Sequence, residues 1–502
     1  MVRWVLPLSA RVEEPAETVG AKARGLVALH RLGLPVPAGF VVTTGACRAY
    51  LRDGRLPAGL AEELARAMAG LEAATGRAFG GTRAPLAVSV RSGASVSMPG
   101  MMTTILNLGL TTGATAALAA ETGDARFAED SRRRFLSGLG AGRTVPDDAA
   151  RQLELAVETV FSSWKTPRAR TYRELHGIPH DLGTAVIVQA MVYGNRDDHS
   201  GTGVAFSRDP NTGENVPFGD VLFGHQGEDV VSGRSATHPL GELAGREPAV
   251  WSALTSALER IEGHYRDACY TEFTFQAGEL WLLQVRPGRF AGGAAVRVAA
   301  DLADAGVITR GEALLRVSPH HLQQVRVPRI AASARPDILA RGVGACPGVA
   351  AGRVATTTDA AVRMSGDGPV ILVRPETSPD DLRGLAAAAG IVTARGGPAS
   401  HAAVVARSMG KPAVVGVAGL VVGDGSLRAG DRTVGEGAFV TIDGTGGEVA
   451  LGSPQITANP AGDHLRRLLE WADEVSGTAS GQSAERDEAQ RLAAAQAVLR
   501  DT

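Results

Sequence analysis

The segment of residues 390–416 constrains the fold of this chain more than any other. GIVTA is a short apolar run typical of a buried strand, and it leads through Gly396 and Gly397 into an Ala- and Val-rich helical pattern. Ser400 stands where a helix N-cap belongs, so His401 falls in the first helical turn. A strand, a glycine turn and a helix in this order predict an α/β domain.

His401 is a candidate phosphohistidine. The backbone N–H groups and the dipole at a helix N-terminus favour negative charge, and paired glycines let the backbone approach a phosphoryl group. A neutral imidazole is a nucleophile whose pKa lies near working pH. Because a lone histidine at a helix start is ordinarily a surface residue, this hypothesis depends on the rest of the sequence.

The pattern of the chain changes near residues 326–342, where two prolines interrupt a stretch without amphipathic period. Before it, helical patterns mix with strand-like runs, among them the adjacent pair TEFTFQ and LWLLQV within 271–285. After it, short strands and short helices alternate in a Gly-rich stretch, with one helix expected at 379–389. We predict a first domain at 1–335, a linker at 336–342, an α/β domain at 343–452 and a helical tail at 453–502.

Bulk composition excludes several classes of protein. The 51 basic and 53 acidic residues give a net charge of −2, which indicates neither a nucleic-acid nor a membrane partner. No apolar run approaches the ~20 residues of a membrane span, and the first residues do not read as a secretory signal. Cys47, Cys269 and Cys346 are too widely spaced for a metal cluster or a disulfide framework. We therefore expect a soluble, cytoplasmic protein.

Lysine is rare in this chain. Only Lys22, Lys165 and Lys411 occur among the 51 basic residues. An ammonium and a guanidinium differ in shape and in hydration, so they are not interchangeable at every site. Each lysine is therefore a candidate for a position where arginine does not serve, although drift would also explain three exceptions.

Residues 393–416 resemble the swivelling phosphohistidine domain of the phosphoenolpyruvate-utilising enzymes. Five upstream segments are similar to the pyruvate, phosphate dikinases rather than to the phosphoenolpyruvate synthases: VGAKARGLVALHRLGLPVPAGFVVTT (19–44), VSVRSGASVSMPGMMTTILNLGL (88–110), GTGVAFSRDPNTGE (201–214), QGEDVVSG (226–233) and TEFTFQAGELWLLQVRPGR (271–289). The similarity extends over residues 18–475. It implies an α/β and α+β multidomain protein, in which an ATP-grasp nucleotide-binding domain precedes a swivelling phosphohistidine α/β domain.

The resemblance assigns roles to individual residues. It makes Lys22, Arg91 and Arg286 contacts of the nucleotide phosphates, for which cationic side chains are suited. It makes Glu272 and Gln284 ligands of Mg²⁺, a hard cation that prefers oxygen. Without the resemblance, an exposed charge, an ion pair or the solvent face of a strand would be the ordinary interpretation of these residues.

The loop SMPGMMTTILNLG at 97–109 is expected, from the same resemblance, to close over ATP and inorganic phosphate. Gly100, Met101 and Met102 would then offer backbone N–H groups to the phosphates. A Gly-rich loop is a weak signal by itself because most such loops are turns, and the methionines would serve equally as core residues.

Three positions depart from the family pattern. Tyr270 stands two residues before Glu272, where the family has an Asp, so an acidic contact of the nucleotide or metal is lost. Thr103 replaces an acidic residue after the two methionines. Ala399, two residues before His401, replaces a threonine that plants phosphorylate, so that regulatory switch cannot operate here.

The family's enzymes end in a TIM barrel that binds phosphoenolpyruvate and pyruvate. Such a barrel needs ~250 residues, and residues 453–502 resemble only its entry. We therefore expect ATP, with phosphate and Mg²⁺, to phosphorylate His401, which passes the phosphoryl group to pyruvate or another acceptor on a separate barrel protein. A homodimer is a further assembly that the sequence leaves open.

Two other functions remain open at the level of sequence. A non-catalytic, nucleotide-binding regulatory paralogue would fit Tyr270, Thr103 and the absent barrel. An antibiotic-type phosphotransferase would carry its acceptor domain between the two other domains. The continuous segment 290–345 leaves no room for such a domain, so we rank this function last.

Overall fold

The structure is a computed structural model, and it describes residues 3–96, 98, 100–140, 144–227, 229, 237–288, 290, 292–325, 328–330, 336–398, 400–458, 462–477 and 487–501. The chain forms two compact units. The first comprises residues 1–202, 223–226 and 271–286, and the second comprises residues 203–222, 227–270 and 287–502. Both contain helices and strands, which confirms the predicted α/β and α+β multidomain class.

A five-stranded antiparallel sheet organises the first unit. Its strands lie in the spatial order Val5–Pro7, Gly39–Val42, Ala185–Ala190, Val88–Gly93 and Thr104–Leu108. The central strands are rich in β-branched residues, which suit a pleated, buried surface. Val88, Val90, Val186 and Val188 are completely buried in one apolar core together with residues of four helices, Thr44–Asp53, Leu60–Thr75, Ala125–Gly138 and Ala149–Ser163.

Further helices and a short pair of strands complete the first unit. Its further helices are Ala16–Arg31, Thr112–Thr122 and Pro167–Leu175, and a short parallel pair joins Ala78–Phe79 to Pro85–Leu86. Residues 271–286 lie in the strands Cys269–Gln276 and Glu279–Pro287. Ala277 and Gly278 connect these strands with φ of +50° and +77°, as a two-residue hairpin turn requires.

An eight-stranded sheet organises much of the second unit. Its spatial order is Ile338–Arg341, Glu448–Leu451, Phe439–Asp443, Val349–Ala355, Val370–Arg374, Gly390–Thr393, Ala413–Val415 and Val343–Cys346. The four strands from Val349–Ala355 to Ala413–Val415 are parallel neighbours. Helices at Thr358–Ser365, Leu382–Ala387 and His401–Met409 lie between them in the chain, as βαβ connections require.

This sheet tests two details of the sequence analysis. The strand and helix predicted within 390–416 are present as Gly390–Thr393 and His401–Met409. The helix predicted at 379–389 is present but shorter: a 3₁₀ turn at Pro379–Asp381 continues into an α-helix at Leu382–Ala387. A capping box between Ser378 and Asp381 closes the first turn.

Five helices share a second apolar core in this unit: Gly292–Asp304, Arg310–Arg316, Pro319–Val325, Asp463–Ser476 and Glu488–Asp501. We call this group the helical cluster. In Asp463–Ser476, the apolar residues Leu465, Leu468, Leu469, Trp471 and Ala472 recur at helical spacing and are buried. The predicted helical tail therefore packs on helices that precede the eight-stranded sheet in the chain.

The segments that enter and leave the eight-stranded sheet also meet. Pro328–Ile330 pairs with Ile456–Ala458 in a two-stranded antiparallel ribbon. Residues 326–327 and 331–335, where the sequence pattern changes, lie outside the described residues, as do residues 459–461. The sheet itself begins at Ile338, before the predicted start at 343, and the functional domain boundaries stay a prediction.

Other elements of the chain are the strands Gly201–Phe206 and Phe218–Phe223, the helices Leu243–Arg246 and Pro248–Tyr265, and the 3₁₀ turn Leu240–Glu242. His238–Pro239 pairs with Asp220–Val221, and the strands Leu420–Gly423, Ser426–Ala429 and Arg432–Gly435 form a small antiparallel sheet. No helix within the described ranges has the length and apolar character needed to cross a bilayer.

The helical cluster predicts a contrast between two leucine truncations. Leu468 is completely buried, whereas Leu315 on the helix Arg310–Arg316 is 43% exposed. Leu468→Ala should lower the stability by about 2–5 kcal/mol because it leaves a cavity, and Leu315→Ala should cost less than about 1 kcal/mol. Thermal melts compare the two variants, and equal melting temperatures would contradict the described packing of the C-terminal helices.

Candidate functional site

Gly20 sets the position of Lys22 in the first unit. It interrupts the helix Ala16–Arg31 with φ of +83° and ψ of 153°. A Cβ at this position would lie 1.7 Å from the carbonyl oxygen of Gly93, so only glycine permits the close approach. The Ala21 N–H also donates to the Ala94 carbonyl at 2.9 Å. Lys22 is therefore fixed beside the end of the strand that carries Arg91.

Arg91 joins this strand to the hairpin of residues 271–286. Its Nη2 donates to Oε2 of Glu272 at 2.7 Å, and its Nη1 donates to the Leu283 carbonyl at 2.9 Å. The two charged side chains are only 12% and 24% exposed. The ion pair is therefore largely withdrawn from water, and the attraction between its charges is stronger than it would be in water.

The charges around Glu272 are mutually dependent. Burial, followed by the charge of Arg91, lowers the pKa of Lys22 to about 7, although Glu272 opposes the shift. Burial raises the pKa of Glu272, but the charges of Arg91, Lys22 and Arg286 outweigh burial and lower it overall. Glu272 is therefore ionised at neutral pH, whereas Lys22 is only partly protonated there. An incoming anion would favour the protonated lysine.

Gln284 and Arg286 lie on the second strand of the hairpin. The alternation of buried and partly exposed residues changes phase there, because Leu283 and Gln284 are consecutive partly exposed residues and Val285 is buried. The Thr271 hydroxyl donates to the Gln284 carbonyl at 2.7 Å. Arg286 belongs to the charge cluster through its effect on Lys22 and Glu272. The structure thus brings together Lys22, Arg91, Glu272 and Arg286, with Gln284 two residues before Arg286.

The predicted phosphate loop is held against the helices that follow it. Gly100 has φ of +70°, and the Met101 N–H donates to the Met98 carbonyl at 3.3 Å. Arg168 donates to the Met101 carbonyl at 3.2 Å. The side chains of Met101 and Met102 are buried, and Ser97 and Pro99 lie outside the described residues. The Met101 N–H closes this turn, and its role as a phosphate donor stays a prediction.

The donor set for a metal is small. The described part of the chain contains no group of three or more His, Cys, Asp or Glu side chains that could hold a metal ion. A carboxylate and an amide oxygen, from Glu272 and Gln284, nevertheless suit Mg²⁺, which keeps several waters and takes further ligands from substrate phosphates. One oxygen of Glu272 already accepts from Arg91. These residues therefore fit an ion that arrives with a nucleotide.

Tyr270 and Thr103, two of the positions that depart from the family pattern, lie in defined surroundings. Tyr270 is 2% exposed and packs edge-on against Phe206, with ring centroids 5.0 Å apart. It fills an apolar cluster and offers no charge. The Thr103 N–H donates to Ser163 Oγ at 3.3 Å, which anchors the phosphate loop. Ala399 lies outside the described residues.

His401 begins its helix in the second unit, as the sequence predicts. Its Nδ1 lies 3.1 Å from the Thr377 hydroxyl oxygen, and its Nε2 is buried without a hydrogen-bond partner among the described residues. Burial lowers the pKa of His401 to about 4, although Asp381 opposes the shift. The imidazole is therefore neutral at physiological pH and keeps a lone pair for nucleophilic attack.

The approach to His401 is shaped by a turn and an arginine. Gly396 has φ of +101°, and a Cβ there would lie 2.8 Å from Cβ of Ser400. Ser400 is the N-cap residue, but its hydroxyl makes no capping bond. Arg407 is buried and donates to the carbonyls of Ala345 at 2.9 Å and Pro398 at 2.5 Å. Arg407 thus ties the loop before His401 to the adjacent sheet edge.

Sequence reasoning missed Thr377 and Asp381. Asp381 is 6% exposed and accepts from the Thr358 hydroxyl at 2.9 Å and from the Ser378 N–H at 2.8 Å. The Ser-Pro-Asp-Asp sequence signals a capping box. No linear pattern reveals that the residue before it reaches His401, which is 24 positions away.

Two family models match the chain. The AMP/ATP-binding domain of pyruvate phosphate dikinase matches residues 51–239, and the mobile domain of the PEP-utilising enzymes matches residues 366–447. The first range contains Arg91 and the phosphate loop, and the second contains His401. The matches therefore place in one chain a nucleotide-binding domain of the dikinase type and the mobile domain of the PEP-utilising enzymes.

Whole-chain relatives make this assignment more specific. The chain is 40% identical to proteins named pyruvate, phosphate dikinase from Rhizobium meliloti, over 94% of this chain and 60% of the relative, and from Giardia intestinalis, over 91% and 58%. It is also 40% identical to pyruvate, phosphate dikinase 2 of Zea mays, over 91% of this chain and 58% of the relative. The chain belongs to the pyruvate, phosphate dikinase family and spans about three fifths of the length of these relatives.

Gly20 should be essential to the charge cluster. Gly20→Ala places a Cβ against the Gly93 carbonyl and should shift Lys22, which we expect to weaken nucleotide binding at least tenfold. Gly70→Ala is the matched control, because Gly70 lies in a helix, Leu60–Thr75, with nothing within 4 Å of the added Cβ. Calorimetric titration with an ATP analogue measures both, and unchanged affinity in Gly20→Ala would refute the proposed role of the close approach.

His401 should titrate far below an ordinary histidine. Because burial lowers its pKa, the folded protein should keep a neutral imidazole from pH 8 to about pH 5, with a midpoint near 4. Below the ordinary pKa of 6.5, the unfolded chain binds the proton more readily, so acid should reduce stability. NMR of ¹⁵N-histidine measures the midpoint, and His401→Asn identifies the signal. A midpoint near 6.5 would contradict the described burial.

Proposed function

We propose that this chain is an ATP-dependent phosphotransferase of the dikinase type, in which His401 accepts a phosphoryl group from ATP in the presence of inorganic phosphate. The observation that carries the proposal is the neutral imidazole with an unpartnered Nε2 at the start of a helix. A nucleophile needs an available lone pair, and the lowered pKa of His401 provides it. The relatives' name supports the same reaction class.

The charge cluster of the first unit is proposed to bind the phosphate chain of ATP. Lys22, Arg91 and Arg286 supply three cationic side chains around one carboxylate, Glu272, which leaves a net positive site. Such preorganised cations stabilise the charge that develops on a transferring phosphoryl group. Backbone N–H groups of Gly100, Met101 and Met102 are proposed to complete the contacts once the loop engages a nucleotide.

Glu272 and Gln284 are proposed to hold Mg²⁺ together with the nucleotide. When bound, the ion would neutralise phosphate charge and orient the phosphate chain. Arg91 occupies one Glu272 oxygen and fixes the direction of the carboxylate. Gln284 offers a neutral amide oxygen, so the ion need not compete with a second carboxylate there.

The proposed products are AMP and pyrophosphate, formed from ATP and phosphate. Nε2 of His401 bonds to the β-phosphorus, and the bond from this phosphorus to the oxygen that bridges the α- and β-phosphates breaks to release AMP. Inorganic phosphate then takes the γ-phosphoryl group as pyrophosphate. The β-phosphoryl group remains on His401. Thr377 holds the imidazole through Nδ1 during both steps.

The final acceptor is proposed to be pyruvate bound to a separate barrel protein, and the product would be phosphoenolpyruvate. Another acceptor on such a partner would use the same phosphohistidine. The segments 326–342 and 452–462 are proposed as hinges that let His401 move between donor and acceptor. A cytoplasmic location and a homodimer remain part of this proposal.

The β-phosphate label tests the proposal directly. The protein is incubated with Mg²⁺, phosphate and ATP labelled at the β-position, and the acid-labile, base-stable label is counted. We expect label on the wild type and at least a hundredfold less on His401→Ala, because the nucleophile is lost. His264→Ala, at an exposed position in the helix Pro248–Tyr265, is the matched control and should retain the label.

A different result would assign the alternative function. If the wild type binds ATP but takes up no label with phosphate and Mg²⁺ present, the chain acts as a nucleotide-binding regulatory relative. Label that persists in His401→Ala would place the phosphoryl group on another residue and overturn the proposed role of His401.

A further inference from the structure

Lys411 makes an unusual set of contacts behind the helix of His401. It follows Gly410, which ends the helix His401–Met409 with φ of +63°. Its ammonium donates to the Leu385 carbonyl at 3.1 Å, to the Ala388 carbonyl at 2.5 Å and to the Ala386 carbonyl. The first and third of these carbonyls belong to the short helix Leu382–Ala387, and Ala388 is its C-cap.

The geometry selects lysine over arginine. The last carbonyls of a helix have no partner inside the helix, and a cation near them is favoured by the helix dipole. An ammonium has three donors around one atom, which matches three carbonyls that converge on one point. A guanidinium spreads its donors in a plane and cannot match this arrangement. This explains a lysine here in a chain where 51 basic residues include only three lysines.

The capped helix also carries the hydrogen-bond partner of His401. Leu382–Ala387 follows directly from the 3₁₀ turn Pro379–Asp381, and Thr377 lies immediately before the capping box of that turn. Thr377 contacts Nδ1 of His401 at 3.1 Å. Two helices are thus joined at both ends: by Thr377 and His401 at one end, and by Lys411 and the three carbonyls at the other.

We propose that Lys411 is a positioning residue for His401. By tying the end of Leu382–Ala387 to the end of the histidine helix, it keeps the Thr377 hydroxyl as the acceptor of Nδ1–H, and this leaves the lone pair of His401 on Nε2. The inference rests on the proposed function of His401 as the phosphoryl acceptor. Lys411 acts at the far ends of the two helices, away from the reacting nitrogen.

The position of Lys411 makes the effect indirect but specific. Asp381 in the same turn is held by Ser378, Thr358 and a 3.3 Å contact with Arg374. These contacts fix the start of the turn. Lys411 holds the far end of the helix that follows and so limits how far the turn rotates away from His401. Without the ammonium, the three carbonyl oxygens need hydrogen bonds from water, and the helix end must open to admit the water molecules.

The experiment compares Lys411→Arg and Lys411→Met with Lys165→Arg and Lys165→Met. Lys165 is exposed and donates to one carbonyl, that of Leu51, at 2.9 Å, so it controls for the loss of a lysine. The first measurement is NMR of the full chain labelled with ¹⁵N-histidine, which reports the tautomer and pKa of His401 without any catalysis. The second is the rate of β-phosphoryl labelling.

We expect the Nδ1–H tautomer in the wild type and in both Lys165 variants. Both Lys411 variants should shift the His401 signals toward the Nε2–H tautomer, raise the pKa of His401 toward 6.5 and slow labelling at least tenfold. Alkylation of Lys411→Cys with 2-bromoethylamine rebuilds an ammonium and should restore the wild-type signals. Thr377→Val removes the hydrogen bond itself, should give the same tautomer shift, and replaces Lys411→Met if that variant does not fold.

Three results would decide against or between the two proposals. Folded Lys411 variants that lose melting temperature but keep the wild-type tautomer, pKa and labelling rate would overturn the inference, since Lys411 would then be only a helix cap. A wild-type tautomer in Thr377→Val would overturn it as well. If the wild type takes up no label but the tautomer still depends on Lys411, the positioning contact stands and the proposed function fails.

Discussion

The ion pair between Arg91 and Glu272 is the interaction on which the candidate nucleotide site depends. Arg91, Arg286 and Lys22, whose pKa is lowered to about 7, share a partly buried region of the first unit, and the carboxylate of Glu272 offsets their repulsion. Removing one partner of such a pair leaves an uncompensated charge, which costs far more than an exposed salt bridge contributes. Arg91 also donates to the Leu283 carbonyl, so the same side chain links the antiparallel sheet to the hairpin.

The candidate site around His401 uses the opposite electrostatic arrangement. Burial keeps its imidazole neutral, and the charge of Asp381 offsets the effect of burial on the pKa of His401 only in part. The first unit therefore presents a positively charged cluster, whereas the second presents an uncharged histidine. The family models match a nucleotide-binding part that contains Arg91 and a mobile part that contains His401.

Sequence periodicity predicted the elements well wherever local signals were strong. The strand Gly390–Thr393, the helix from His401 and the two hairpin strands appear where apolar runs, glycines and turn residues placed them. The helix predicted at 379–389 begins where expected, although its first turn is 3₁₀ and it ends at Ala387. The joint core of the C-terminal helices and residues 292–325 left no sequence signal, because amphipathic helices show which face is buried but not against what.

The sequence by itself determined the family of this chain and its candidate groups: the histidine at a helix start, the rare lysines and the order of motifs that identify the family. Such features are local or are matched position by position, so no folding is needed to recognise them. Only the tertiary structure decided which groups act together. The Gly20 contact with Gly93, the Thr377 contact with His401 and the three carbonyls around Lys411 join residues far apart in the chain. They arise from packing and from the need to pair buried polar groups, which no linear spacing encodes.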